Sequence, residues 1–191
     1  MVPYLSSVYF GLVQRTNKDY IGCQKAKLYL NMPEYIGQRI VEQINANGDE
    51  RIDHDEFVKF FLTMLMGTLE QKMQIAFKCY DMDGDEQIEF SEISIILKNI
   101  PSKLENRYGS SFTKEKDSSR TEYLKRQEID NEQIDTLMSV LEKNYEDGMY
   151  FDEFIKVAKD DTSELFVSIF NCIYECVPCV KNFFIMRAKY S

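Results

Sequence analysis

A twelve-residue frame recurs four times along this 191-residue chain, each time between apolar residues at helical spacing. It is clearest at DMDGDEQIEFSE, Asp81 to Glu92. Ala76, Phe77 and Tyr80 lie five, four and one residues ahead of Asp81; Ile93, Ile96 and Leu97 lie one, four and five residues past Glu92. Side chains so spaced share one helix face, so the unit reads helix, loop, helix, with Ile88 as the apolar eighth position of the loop. Ile40, Val41 and Ile44 lead into NANGDERIDHDE (Asn45 to Glu56), with Ile52 eighth and Phe57, Phe60 and Phe61 behind. Tyr9, Phe10 and Val13 lead into QRTNKDYIGCQK (Gln14 to Lys25), with Ile21 eighth and Ala26, Tyr29 and Leu30 behind. Leu137, Met138 and Leu141 lead into EKNYEDGMYFDE (Glu142 to Glu153), with Met149 eighth and Phe154, Val157 and Ala158 behind. A repeat of this kind fixes the fold class before any other feature is weighed.

The alternation of Asp81, Asp83 and Asp85, closed by Glu92, resembles an EF-hand calcium loop, and the four-unit order resembles the calmodulin superfamily. The stretch GTLEQKMQIAFKCYDMDGDEQI is similar to the third EF-hand region of neuronal calcium sensors and calcineurin B-like proteins. The resemblance implies an all-α fold with four EF-hand helix–loop–helix units in two paired lobes, residues 1–66 and 67–160. An apolar C-terminal helix with a basic tail follows at 161–191. It also implies short antiparallel pairing of Ile21 with Ile52 and of Ile88 with Met149.

Calcium takes six to eight oxygens, which such a loop supplies from positions 1, 3, 5, 7, 9 and 12. In the third loop these are Asp81, Asp83, Asp85, the Gln87 carbonyl, Glu89 and Glu92, whose mutual repulsion calls for a cation. The second loop offers Asn45, Asn47, Asp49, the Arg51 carbonyl, Asp53 and Glu56. Asn45 removes a charge at position 1, so this second site should be the weaker. Glu142, Asn144, Glu146 and Glu153 in the fourth loop are long or neutral where the loop is tightest, which favours a metal-free structural unit. In the first loop Gln14, Thr16 and Lys18 fill the early ligand positions and Lys25 the last, so it should be empty. Glu86 and Glu50 stand where a left-handed backbone favours glycine, and Asp147 occupies the same place in the fourth frame.

Loop starts are separated by 31, 36 and 61 residues, so the last interval carries a charged insertion near 101–130. It reads as a mobile surface segment or a partner contact; Ser110, Ser111, Ser118 and Ser119 within it are ordinary phosphate acceptors. In the tail, Leu165, Ile169, Ile173 and Val177 recur every four residues, as do Phe166, Phe170 and Tyr174, up to Pro178. That helix could pack on the C-terminal lobe, dock on a partner or lie on a membrane, the last being disfavoured.

A net charge of −9 argues against a nucleic-acid partner. Neither a signal peptide, an N-myristoylation pattern nor a membrane span is expected from the sequence. The five cysteines point to reduced thiols in the cytoplasm, with cytoskeletal or membrane association left open. No nucleophile elbow, phosphate loop or zinc-protease motif occurs, and His54, the single histidine, reads as a surface residue; a non-enzyme is expected. The resulting expectation is a calcium sensor or regulatory subunit that takes a partner's amphipathic helix in an apolar groove. Residues 60–66, rich in Phe, Met and Leu, are mostly core with a subset for that groove. The rival is a structural subunit of an assembly in which calcium is incidental.

Overall fold

The computed structural model describes residues 1–15, 18–97, 131–145, 147–160, 169, 172–174 and 176–189. The insertion near 101–130 with its four serines, Thr16, Glu146, Leu165, Phe166 and Phe170 lie outside the described residues. The chain divides into two compact units, one made of Met1–Cys79 with Ile169–Ser191 and the other of Tyr80–Ser168.

In the first unit, α1 (Val2–Val13) carries Pro3 in its opening turn, where a missing N–H costs nothing. A two-residue strand β1 (Ile21–Gly22) runs into α2 (Cys23–Leu30), which ends on Asn31 in the left-handed conformation, φ 53°. Then α3 (Glu34–Ile44), β2 (Arg51–Ile52) and α4 (His54–Met66) repeat the pattern. Asp53 and Glu56 form a reciprocal capping box at the start of α4. Strands β1 and β2 pair antiparallel with Ile21 opposite Ile52, as the resemblance implied. Helix α1 packs on α4, and the core gathers Leu5, Tyr9, Ile36, Ile40, Phe57 and Phe61. Phe57 and Phe61, one helical turn apart, bring their ring centroids to 4.7 Å.

Helix α5 (Leu69–Tyr80) opens on a second capping pair, Thr68 with Gln71. The second unit contains β3 (Gln87–Ile88), a helix α6 over residues 90–97, α7 (Asn131–Asn144), β4 (Met149–Tyr150) and α8 (Phe151–Asp160). Strands β3 and β4 pair antiparallel with Ile88 opposite Met149, again as expected. Both residues are fully buried, as is Phe154, whose ring faces Tyr80 at 6.2 Å.

The helical run breaks at Val177, as expected near Pro178, but Pro178 then opens a further helix, α9 (Pro178–Lys189), because proline at the first helical position has no N–H bond to lose. The residues from 169 onward belong to the first unit rather than to the C-terminal half. There the Tyr4 hydroxyl donates to the Cys179 carbonyl at 2.8 Å, and the Tyr4 and Phe183 rings stand 6.3 Å apart. Cys172, Ile173, Val177 and Val180 are fully buried. Among the described residues, no helix is long and apolar enough to cross a membrane.

Candidate metal centre

The third loop links α5 to α6 and is folded by its own side chains. Asp81 Oδ1 accepts from Gly84 N–H at 2.7 Å, Asp83 Oδ1 from Asp85 N–H at 3.2 Å, and Asp85 Oδ1 from Gln87 N–H at 2.9 Å. Each aspartate thereby bends the chain back over the next, the local turn chemistry that short acidic side chains supply. The turn needs left-handed angles at Gly84 (φ 82°) and at Glu86 (φ 69°). A residue with a Cβ at such an angle costs on the order of 1 kcal/mol. The result is that one carboxylate oxygen from each of Asp81, Asp83 and Asp85 lies within 4.8 Å of the others. Among the described residues, neither ion pair, Arg39–Glu42 or His54–Asp55, involves these three acids.

Glu92 closes the loop from the first turn of α6. Its Oε1 accepts from Met82 N–H at 2.6 Å and its Oε2 from Glu89 N–H at 2.8 Å. Asp81 and Glu92, at 4% and 7% exposure, are the buried charged residues among those described. Burial pushes the Glu92 carboxyl above its ordinary pKa, with backbone donors and Asp83 as smaller influences. Asp81 and Glu92 are buried while Asp83 and Asp85 are exposed, and carboxylates gathered this closely are stabilised by a positive charge among them. The donor set is all oxygen, which fits a hard divalent cation such as calcium and not a thiophilic one. Glu89 is exposed and accepts from Ser91 Oγ at 3.0 Å. Gln87 extends β3, and its side-chain amide donates to the Asp147 carbonyl of the fourth frame. That bridge escaped the sequence reading, which assigned Gln87 a carbonyl role alone.

The second loop has the same turns with fewer charges. Asn47 Oδ1 accepts from Asp49 N–H at 3.0 Å and Asp49 Oδ1 from Arg51 N–H at 2.8 Å; Glu50 takes φ 61°. Glu56 Oε2 is occupied by Asp53 N–H at 3.1 Å. Asn45, Asn47, Asp49, Arg51, Asp53 and Glu56 thus surround one loop, but with Asn45 contributing an amide where the third loop has Asp81.

Among the described residues, the other two frames show no carboxylate cluster. Helix α7 runs through Glu142 and Asn144, so the first ligand positions of the fourth frame are helical and exposed. The Asn144 amide donates to the Val140 carbonyl at 2.9 Å, back along its own helix. A left-handed angle falls on Gly148, φ 102°, at the seventh position. In the first frame Lys25 Nζ donates to the Leu12 carbonyl at 2.6 Å, tying α2 to the end of α1.

His54 is not the loose surface residue the sequence suggested. Its ring stacks on Phe10 at 5.4 Å and meets Tyr9 edge-on at 5.4 Å. Its Nε2 lies 2.8 Å from Ser6 Oγ and its Nδ1 2.9 Å from Asp55 Oδ1. The order hydroxyl, imidazole, carboxylate copies that of a nucleophilic triad. Here, however, the hydroxyl sits within α1 and the Asp55 side chain is 96% exposed, whereas a triad's acid is buried. The relay joins α1 to α4.

No protein-family model matches the chain. Guanylyl cyclase-activating protein 2 of Gallus gallus is 31% identical over 128 residues, 67% of this chain and 59% of that protein. The calcineurin B protein of Naegleria gruberi is 29% identical over 90 residues, 44% of this chain and 51% of that protein. Calcium-binding protein K of Dictyostelium discoideum is 29% identical over 174 residues, 78% of this chain and 88% of that protein. These likenesses agree with the paired loops and the acidic cluster. The chain is an EF-hand protein of the calmodulin superfamily. Within that superfamily it is neuronal calcium sensor-like. This EF-hand chain spans about half to three-fifths of the first two relatives named.

Proposed function

We propose that this EF-hand chain is a calcium sensor or regulatory subunit, built of four EF-hand units in two pairs, which binds calcium in its third loop and docks a partner's amphipathic helix. The observation that carries the reading is the convergence of Asp81, Asp83 and Asp85 beside the buried Glu92. Calcium, when bound, supplies the positive charge that these carboxylates lack. Asp81, Asp83, Asp85, the Gln87 carbonyl, Glu89 and Glu92 are the residues to hold it. Glu92 belongs to the first turn of α6, so any shift of its carboxylate moves that helix start. This is how a sensor hand turns ligation into exposed apolar surface. Two relatives support a regulatory role by their names, an activator of guanylyl cyclase and a component of calcineurin. The chain itself is taken as non-catalytic.

The partner surface is apolar. Of the residues singled out between 60 and 66, Phe60, Phe61, Met64 and Leu65 are core, whereas Met66 is 62% exposed. Leu28 is exposed too, at 82%, and offers a separate apolar contact for a partner. A cytoplasmic location accords with five free thiols.

The structural-subunit reading draws on the helical start of the fourth frame and the Lys25 ammonium in the first. Apolar-dye binding at micromolar free calcium separates the two. A sensor shows a calcium-dependent rise that Glu92→Gln abolishes together with partner binding. A structural subunit keeps its partner in that variant and shows no rise.

A further inference from the structure

The fourth frame keeps the half of its loop that pairs with the third loop, while the half that would begin an ion site is helical. Glu142 and Asn144 lie in α7, and Tyr145 N–H still donates back to the Leu141 carbonyl at 2.9 Å. Its later half repeats the third loop. Tyr150 N–H donates to Glu153 Oε2 at 2.9 Å, as Glu89 N–H does to Glu92 Oε2 at 2.8 Å. Between the halves stands Gly148, buried and left-handed, so close to the third loop that a Cβ there would lie 3.1 Å from Gln87 Nε2. The Gln87 side-chain amide donates to the carbonyl of Asp147, the residue just before that glycine.

We propose that Gln87 is a positioning residue of the third loop: its side chain, tied to the fourth frame, holds its own carbonyl in place for calcium. This inference rests on the third loop being the calcium site of the proposed function. Three contacts fix residue 87. Its main-chain N–H donates to Asp85 Oδ1 at 2.9 Å, its backbone pairs with Tyr150, and its side chain donates to Asp147. The first two belong to the main chain and recur in the second loop, where Arg51 N–H donates to Asp49 Oδ1 at 2.8 Å and Arg51 pairs with Gly22. The third is particular to Gln87. At the same place in the second loop, the Arg51 guanidinium lies over the Tyr20 ring instead, 5.1 Å from its centroid. A ligand already held before the ion arrives loses less freedom on binding, so the tie acts on affinity. The fourth frame thus serves the third without an ion of its own.

Gln87→Met keeps the length of the side chain and removes its donor. Calcium titration by calorimetry should show affinity about fivefold weaker than in the wild-type chain, the worth of one hydrogen bond. An unchanged affinity overturns the tie and leaves the calcium site standing. Bound europium gives a readout that a general loss of stability would not move, since its luminescence decay in light and heavy water counts the waters on the ion. The variant should gain about one water where the carbonyl strays, and an unchanged count overturns the proposal. Hydrogen exchange in chelator needs no metal. The main-chain N–H of residue 87 should exchange about fivefold faster in Gln87→Met, and an equal rate overturns the tie. A wild-type chain that binds no calcium refutes the third-loop site instead, and the exchange rate alone then decides the tie.

Discussion

Gly148 offers the sharpest test of how the second unit is assembled. It combines φ 102° with a close approach: a Cβ placed there would lie 2.7 Å from the Ile88 carbonyl oxygen and 3.1 Å from Gln87 Nε2. The nearest obstacle is backbone of β3, so it yields only if the β3–β4 pair moves. Gly84 has a comparable angle, φ 82°, with nothing within 4 Å of its would-be Cβ. Alanine at Gly84 should therefore cost the left-handed penalty alone, about 1 kcal/mol. Alanine at Gly148 should cost that amount plus about 1–3 kcal/mol of steric strain, the usual range for overpacking. Urea unfolding of both variants in chelator, followed by far-UV circular dichroism, measures the difference. Exchange of the Ile88 amide localises it to the strand pair. Equal destabilisation of the two variants, within about 0.5 kcal/mol, would refute the argument that strand contact rather than angle fixes this glycine.

Glu86→Gly removes a Cβ from a left-handed residue and should tighten calcium binding by up to about fivefold, the equivalent of about 1 kcal/mol; an affinity that is unchanged or weaker counts against the strain account. His54→Ala strips two ring contacts and the Ser6 bond from the α1–α4 contact, and should lower stability by about 1–2 kcal/mol in chemical denaturation. A change below about 0.5 kcal/mol, as for ordinary surface substitutions, would return His54 to the surface. Burial pushes the Cys79 thiol up to about 12 and the Cys179 thiol up to about 11. The reactive thiolate is therefore scarce at about pH 8 and grows only as pH rises toward those values. Iodoacetamide labelling read by mass spectrometry should modify Cys23, which is half-buried, well before either of them; equal rates would contradict that ordering.

The register of the two strand pairs was legible through the resemblance, and the apolar eighth position of each frame agrees with it, since a strand residue is placed by which face it buries. Counting supplied the shared eighth position, and the resemblance implied the pairing of Ile21 with Ile52 and of Ile88 with Met149. Left-handed angles at Glu50 and Glu86 were legible for the same reason: a shared position in a turn. The helical start of the fourth frame was legible only as a poor ligand set. Glu142 and Asn144 fit a helix as well as a loop, and nothing local ends α7 before them. What counting could not reach was side-chain geometry across elements. Lys25 looked like a defect in a ligand position, yet its reach to Leu12 makes it a tie between helices. His54 read as a surface residue because it falls inside the second twelve-residue frame, while its surroundings come from α1, far away in sequence. Pro178 was legible as a stop but not as the opening of α9, because proline ends helices more visibly than it begins them.

Calcium titration of the intact chain by calorimetry, beside Glu92→Gln, tests the central claim most directly. One calcium bound per chain, lost in the variant, is the predicted result. A chain that binds no calcium, or a site indifferent to Glu92→Gln, would contradict the assignment of the Asp81–Glu92 loop.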